Sequence, residues 1–239
     1  MSAHKLHPIL PRPVAFALAQ VVLLPVSLSL ATAFPFAASG DIAGLARVID
    51  GDTLEIGDRR VRLEGIDAPE SAQTCRRDGT RTWACGRVAA EALAALVDRR
   101  RVTCRNTGVD KYDRVLGVCS VEGRDLNAEM VRSGHAWAFV KYSRSYVAEE
   151  AAARAAGVGI WQGEAEPAWI FRANRWQAAE TDAPAGCAIK GNITENGRIY
   201  HMPWSPWYGK VKIDPAQGER WFCSEAQAQT EGWRSAGVR

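Results

Sequence analysis

The stretch Leu45–Glu70, LARVIDGDTLEIGDRRVRLEGIDAPE, decides the fold of this chain. Apolar residues recur through it at strand spacing. They are Val48, Leu54, Ile56, Val61, Leu63 and Ile66. Asp50-Gly51-Asp52 and Gly57-Asp58 interrupt the pattern with residues typical of tight turns. The stretch therefore predicts three consecutive β-strands.

The segments that follow extend this pattern into a complete fold. A helix is predicted from about Gly86 to Val97, and two strands follow around Val102–Arg105 and Val115–Val121. Two more helices are predicted, the first carrying Leu126, Met130 and Val131 and the next running from about Val147 to Ala156. Five short strands with a helix after the third are the layout of an OB-type barrel. We expect a mainly β, α+β fold with a five-stranded OB barrel and three helices.

The N-terminal segment, residues 1–33, has the layout of an export signal. Lys5 and Arg12 precede an apolar run over 15–33, and Ala31 and Ala33 end it with an A-x-A pattern. Such a segment is a secretory signal peptide, or an uncleaved N-terminal membrane anchor because the run is nearly long enough to span a bilayer. Either alternative predicts export of the following domain, to the periplasm or the medium.

Composition sets broad limits on the rest of the chain. The 239 residues are 47% hydrophobic and 24% charged, as expected of a folded protein with one ordinary domain and a small additional one. The net charge of +3 permits a nucleic-acid partner without arguing for one.

The six cysteines are consistent with an oxidising compartment, where an even number can pair. No CxxC pattern occurs, so a structural zinc site is poorly supported. Local spacing favours three pairs: two residues facing each other across a hairpin, two bracketing a short polar loop, and two bracketing the last module. These pairs are Cys104–Cys119, Cys75–Cys85 and Cys187–Cys223.

We expect a barrel domain over 44–173, a linker over 174–186 and a small module over 187–239. The module carries its own cysteine pair and four of the nine tryptophans. Those tryptophans, Trp204, Trp207, Trp221 and Trp233, are either its core or an exposed aromatic platform. Lys190, Arg198, Lys210 and Lys212 would surround such a platform. We expect an accessory substrate- or envelope-binding unit that is not part of the active site.

Three short motifs in the barrel domain carry residues suited to one kind of chemistry. They are VIDGDT (48–53), RLEGIDAPE (62–70) and DKYDRVLG (110–117). Carboxylates on tight turns suit a hard divalent cation. A further carboxylate can take a proton from water, and arginines match phosphate oxygens two at a time. This combination is suited to phosphodiester hydrolysis.

From about Ala46 to Trp161 the chain resembles the thermonuclease family, the staphylococcal-nuclease-like domain, in the DGDT, RLxGIDxPE and DKYxR patterns and their order. The resemblance implies an OB barrel with three helices. It also implies a Ca²⁺-dependent nuclease that hydrolyses DNA and RNA with little sequence preference and leaves 3′-phosphate ends. No obligate protein partner is evident, and a membrane would be contacted only through an uncleaved N-terminal segment.

The resemblance also implies roles for individual residues. It makes Asp52 and Asp67 calcium ligands, with the backbone carbonyl of Ala68 as a third. The catalytic residues would be Arg62, Glu70 and Arg114. Substrate contacts would come from Lys111, Tyr112 and Tyr142.

The chain departs from the family pattern in three ways. Ala68 stands where the family often has Thr, and only its carbonyl is needed. Asp113 stands where the family often has Gly, beside Arg114. The pairs Cys75–Cys85 and Cys104–Cys119 are additions that resemble the exported, disulfide-bearing branch. The alternative function is a catalytically silent, nuclease-like module that only binds nucleic acid or an envelope partner.

Overall fold

The alternating stretch forms three consecutive strands, as predicted, in a computed structural model that describes residues 40–112 and 114–236. The strands of the described residues are β1 (Ile42–Val48), β2 (Thr53–Ile56), β3 (Arg59–Leu63), β4 (Ile66–Asp67), β5 (Cys75–Arg77), β6 (Arg81–Trp83), β7 (Arg101–Val109), β8 (Val115–Val121), β9 (Arg124–Asp125), β10 (Trp137–Ala138), β11 (Ile189–Thr194), β12 (Gly197–His201), β13 (Arg220–Phe222) and β14 (Arg234–Ser235). The helices are α1 (Cys85–Val97), α2 (Leu126–Arg132), α3 (Val147–Ala156), α4 (Ala168–Asp182) and α5 (Glu225–Thr230). The predicted signal peptide or anchor lies outside the described residues.

Five strands close into a barrel, which confirms the predicted OB-type fold. Strands β3, β2, β1, β7 and β8 pair in that order through antiparallel ladders. A parallel pairing of β3 with β8, with Val61 opposite Val115, completes the ring. Closure leaves no free edge between the first and last of these strands. It also places the start of β8 beside β3, which carries Arg62.

The barrel interior and two helices share one apolar core. Leu54, Val61 and Leu63 are completely buried inside the barrel. Helix α1 adds Ala89, Leu93 and Val97, which lie four residues apart and therefore on one face. Helices α1, α2 and α3 confirm the three predicted helices, and α3 ends where Gly157 adopts the left-handed conformation.

All three predicted disulfides are present. Cys104 and Cys119 face each other directly across β7 and β8. Cys75–Cys85 joins β5 to the start of α1, and Cys187–Cys223 joins the chain two residues before β11 to the residue after β13. Among the described residues no cysteine is free.

The segment expected to be a linker, 174–186, is helical for most of its length. Helix α4 continues to Asp182, and a 3₁₀ turn follows at Pro184–Gly186. Phe171 and Ala179 are buried, so tertiary packing holds this helix in place, and the role of the segment as a linker stays a prediction. The described residues all belong to one compact unit, and the proposed domain boundaries stay a prediction.

The last 50 or so described residues form a small four-stranded sheet in the order β13-β11-β12-β14. Its core contains Tyr200, Phe222 and Trp233, so an aromatic core explains part of its tryptophan content. Trp207, in contrast, is 44% exposed. In the part of the chain that the structure describes, no helix has both the length and the apolar character needed to cross a membrane.

Candidate functional site

Arg62 on β3 joins the first two sequence motifs. Its Nη1 donates to Asp52 Oδ1 and its Nη2 donates to Asp67 Oδ1, each at 2.7 Å. The alternation along β3 buries Val61 and Leu63 in the barrel and turns Arg62 to the opposite side. One guanidinium group thus holds the two predicted calcium ligands together.

Asp52 is fixed by a tight turn between β1 and β2. Its backbone N–H donates to Asp50 Oδ1 at 3.0 Å, and its Oδ2 accepts from the N–H of Ala68 at 3.0 Å. A side chain at Gly51 would place its Cβ 2.7 Å from the Ala68 Cβ and 2.8 Å from the Ala89 Cβ. The DGDT turn therefore needs glycine because it packs directly against the Ala68 loop and α1.

Glu70 lies in a loop held by a residue that the motifs did not identify. The buried side chain of Gln73 accepts from the Glu70 N–H at 3.1 Å, and the Gln73 N–H donates to the Glu70 carbonyl at 2.7 Å. Gln73 Nε2 in turn donates to the carbonyl of Glu166 at 2.5 Å. The loop that carries Glu70 is thereby tied to the chain just before α4.

Sequence reasoning missed Arg172, on α4. Its Nη1 donates to Asp67 Oδ1 at 3.0 Å and to Glu70 Oε1 at 2.6 Å, and its Nη2 donates to Asp67 Oδ2 at 2.8 Å. It lies more than 100 positions from both carboxylates in the chain. No motif spacing marks it, so only the folded structure brings it into the site.

The third motif forms the hairpin loop between β7 and β8. Arg114 donates from Nε to Asp110 Oδ2 at 2.8 Å, and Asp110 Oδ1 accepts from the N–H groups of Tyr112 and Arg114. Lys111 Nζ lies 4.7 Å from the centre of the Tyr112 ring. Arg114 is therefore held by contacts within its own loop, and its charge adds, after Arg62, to the lowering of the Asp52 pKa. Asp113 lies outside the described residues.

Tyr142, one of the predicted substrate contacts, is on an exposed surface. Its side chain is 70% exposed, and its ring packs edge-on against Phe139 at 5.0 Å. Phe139 in turn stacks on Trp169 of α4 at 5.4 Å. A hydrogen bond with Tyr112 raises the pKa of Lys111, and Tyr142 contributes to the same shift. Tyr142 and the hairpin loop therefore act on the same lysine.

The carboxyl groups of the site have divergent pKa values. Burial raises the pKa of Asp50 to about 7, with Asp52 adding to the shift. Burial would also raise the pKa of Asp52, but Arg62 and the Ala68 N–H outweigh it, and that pKa is lowered. Burial raises the pKa of Glu70 to about 8 although Arg172 opposes the shift. Ionised and proton-holding carboxyl groups thus lie side by side.

The two predicted metal ligands suit a hard cation in donor type and in number of available acceptor positions. Asp52 accepts from Arg62, Thr53 and Ala68, and Asp67 accepts from Arg62 and Arg172. On each residue Oδ2 accepts a single hydrogen bond from the described residues, which leaves a lone pair for a cation.

The site gathers four carboxyl groups, those of Asp50, Asp52, Asp67 and Glu70, around the guanidinium groups of Arg62 and Arg172. The described residues contain no group of three or more His, Cys, Asp or Glu side chains arranged to hold a metal, so backbone or water oxygens would have to complete the coordination.

The C-terminal module borders the site. A cleft has Asp50, Glu70 and Ser71 on one wall, and the opposite wall includes Tyr200 and Trp204. Trp204 is also 6.3 Å from Trp176 of α4, measured between ring centres. The module therefore lines a cleft beside Glu70, and the expectation that it is an accessory unit outside the active site stays a prediction.

Comparison with known proteins identifies the barrel region. Residues 60–163 match the family described as staphylococcal nuclease homologue. The chain is 37% identical over 141 residues to the succinoglycan biosynthesis protein ExoI of Rhizobium meliloti, an alignment that covers 58% of this chain and 74% of the relative.

Two further relatives are named as nucleases. An uncharacterized endonuclease of Escherichia coli is 36% identical over 141 residues, covering 55% of this chain and 86% of the relative. A micrococcal nuclease of Shigella flexneri is 34% identical over 146 residues, covering 54% of this chain and 78% of the relative. With the closed barrel and the cluster around Arg62, these similarities show that the chain belongs to the staphylococcal nuclease homologue family.

Proposed function

We propose that this protein is a Ca²⁺-dependent nuclease that hydrolyses DNA and RNA with little sequence preference and leaves 3′-phosphate ends. The observation that carries the proposal is the bridge of Arg62 between Asp52 and Asp67, with Glu70 linked to Asp67 through Arg172. A cation site, a phosphate-binding fork and a base thus share one cluster.

The roles of the side chains follow from their chemistry. Asp52, Asp67 and the Ala68 carbonyl would hold Ca²⁺, which when bound polarises a phosphate oxygen. Arg62 uses one N–H of each terminal nitrogen for the aspartates, so the other N–H of each can reach a phosphate. Arg114 would approach the same phosphate from the hairpin loop and stabilise its developing charge.

Glu70 is the proposed general base. Its carboxylate would take a proton from the water that attacks phosphorus. The 5′ oxygen, which leaves, would take a proton from solvent. Burial disfavours the charged form of Glu70 and raises its pKa to about 8, so its carboxylate is a stronger base than that of an exposed glutamate, and the ionised form becomes available as the pH rises towards that value. The tie to Gln73 keeps the loop in position for that transfer.

Substrate would lie across the exposed aromatic surface beside the site. Tyr142 offers a ring for stacking on a base, and Lys111 and Tyr112 can contact phosphate or sugar. The stacked pair of Phe139 and Trp169 continues this surface along α4. The C-terminal module would be an accessory substrate-binding unit at the cleft next to Glu70.

The experiment that tests the proposal is conversion of supercoiled plasmid by purified protein in Ca²⁺, with a chelator as control. We expect nicked and linear products only with Ca²⁺, and 3′-phosphate ends that block extension by a polymerase until a phosphatase removes them. Binding of oligonucleotide without cleavage at any Ca²⁺ concentration would favour the alternative, a catalytically silent binding module.

Export of the protein is a second part of the proposal. The three disulfides support an oxidising compartment. We predict that the mature protein begins just after Ala33 and lies in the periplasm or the medium. N-terminal sequencing of protein from fractionated cells checks this, and a mature chain that still begins at Met1 in the membrane fraction would indicate the anchor instead.

A further inference from the structure

Arg172 is the charged residue of the site that lies outside both the three sequence motifs and the matched family segment. It lies on α4, beyond the matched segment 60–163, yet it makes three of the hydrogen bonds to the site's carboxylates. Its side chain is only 21% exposed, and Asp67, which it contacts, is completely buried. A partly buried arginine this far from the motifs, paired with a completely buried carboxylate, needs a reason beyond surface charge.

The contacts of Arg172 are divided between two residues of different proposed function. Two hydrogen bonds form a fork on Asp67, a proposed cation ligand. The third reaches Oε1 of Glu70, the proposed base. One rigid planar group therefore fixes the distance between ligand and base, which a flexible ammonium group could not do equally well.

Helix α4 is itself anchored at the place where it delivers this side chain. Ala168 and Phe171 are buried, and the carbonyl of Glu166 accepts from Gln73, the residue that holds the Glu70 loop. Two contacts thus connect this part of the chain to the Glu70 loop: the hydrogen bond of Gln73 to the Glu166 carbonyl, and that of Arg172 to the Glu70 side chain. The position of Arg172 is a consequence of this packing.

We propose that Arg172 is a positioning residue that holds Glu70 beside Asp67, and that it also weakens cation binding at the site. The inference rests on the proposed function for the identity of cation and base. The second half follows from charge: a guanidinium group in direct contact with Asp67 repels a cation bound to the same carboxylate. Arg172 thereby lowers the affinity of the site for a cation and, at the same time, keeps Glu70 in a fixed position.

Two substitutions separate the two effects. Arg172→Met removes the charge and the fork, and Arg172→Lys keeps the charge but removes the fork. We expect calorimetric titration with CaCl₂ to give a Kd at least about tenfold lower for Arg172→Met than for wild type, because the repelling charge is gone. Arg172→Lys should stay within about threefold of wild type. Both should lower kcat on oligonucleotides by about tenfold or more, since Glu70 is no longer held.

Arg175→Met is the matched control, because Arg175 is exposed and lies one turn later on the same helix. It should leave both Kd and kcat unchanged. Thermal unfolding of each variant with chelator shows whether α4 still folds, and Arg172→Gln replaces Arg172→Met if the latter does not. A merely structural role would lower stability without tightening Ca²⁺ binding.

The outcomes are distinct for this inference and for the proposed function. If the folded Arg172→Met variant binds Ca²⁺ no more tightly than wild type, the proposal that Arg172 weakens cation binding (the cation half) is overturned. If both Arg172 variants keep the wild-type kcat, the proposal that Arg172 positions Glu70 is overturned. A wild-type protein that binds Ca²⁺ without cleaving nucleic acid contradicts the proposed function, while the titrations still decide the cation half. A wild-type protein that binds no Ca²⁺ overturns both.

Discussion

At the scale of single residues, the candidate site is organised by arginine forks on carboxylates. Arg62 bridges Asp52 and Asp67, whereas Arg114 is held by Asp110 within its own loop. Burial alone would lower the pKa of Arg62, but Asp52 and Asp67 outweigh it and raise that pKa above its ordinary value. The Arg62 charge is therefore permanent, and the geometry of the fork is what substitutions can test.

Replacing Glu70 with Gln should remove the base and leave the shape of the loop intact. We expect kcat to fall by about a hundredfold or more, because general-base assistance is of that size. Ca²⁺ binding should persist, since the proposed ligands are untouched. Turnover at saturating Ca²⁺ and calorimetry measure the two quantities, and unchanged turnover would exclude the proposed role.

Arg62→Lys and Arg114→Lys keep the charge and lose the planar fork. We expect kcat to fall by about tenfold or more in each, since bidentate contact with phosphate is lost in the transition state. Arg59→Lys is the control, because Arg59 lies exposed on the same strand as Arg62. Wild-type rates for both site variants would mean that these arginines only contribute surface charge.

At the scale of elements, the site depends on how closely α1 approaches the loop that carries Glu70. A Cβ on Gly86 would lie 1.7 Å from the Glu70 carbonyl oxygen and 3.0 Å from the Ser71 Cα. These are backbone atoms, so relief requires the loop or the helix to move. Gly86 thus sets the position of Glu70 from a neighbouring element.

Gly86→Ala should consequently shift the Glu70 loop. We expect a loss of about 1–3 kcal/mol in the free energy of unfolding, as for other overpacked sites, together with a lower kcat. Gly209→Ala is the control, since a Cβ at Gly209 meets nothing within 4 Å. Denaturant unfolding and oligonucleotide kinetics measure both effects, and equal stability and rate for the two variants would contradict the close approach.

At the scale of the whole molecule, two exposed tryptophans mark two surfaces that could guide a strand. Trp169 on α4 stacks on Phe139 beside Tyr142 and is 37% exposed. Trp207 is 44% exposed on the C-terminal module, with Lys210 Nζ 4.9 Å from its ring centre. Because the two side chains are similarly exposed, substituting each in turn compares the contribution of the surface along α4 to strand binding with that of the module.

Trp169→Ala should raise KM for long single strands by about fivefold or more, because base stacking is lost next to the site. Kinetics on a dinucleotide substrate should change little, since it spans only the catalytic cluster. Trp207→Ala tests the module in the same assay. If KM rises only for Trp207→Ala, the strand follows the module and not α4.

The sequence by itself determined the barrel, the three helices and the pairing of cysteines. Their signals are mostly local: alternation in 45–70, helix spacing in 86–97 and, for Cys75–Cys85 and Cys104–Cys119, a short separation between the paired cysteines. The short motifs and the resemblance that they carry pointed to Arg62, Asp52 and Asp67, and in the structure Arg62 donates to each of the two aspartates at 2.7 Å. Short-range periodicity suffices wherever one element, or one pair of adjacent elements, sets the outcome.

Only the tertiary structure decided what surrounds this cluster. Arg172 reaches Asp67 and Glu70 from more than 100 positions away, Gln73 ties the Glu70 loop to the chain just before α4, and Trp204 of the C-terminal module lines the cleft. The expected linker is helical for the same reason, because packing against the rest of the chain stabilises α4. Contacts between distant segments leave no periodic trace in either segment alone, so burial and charge pairing in the folded chain had to reveal them.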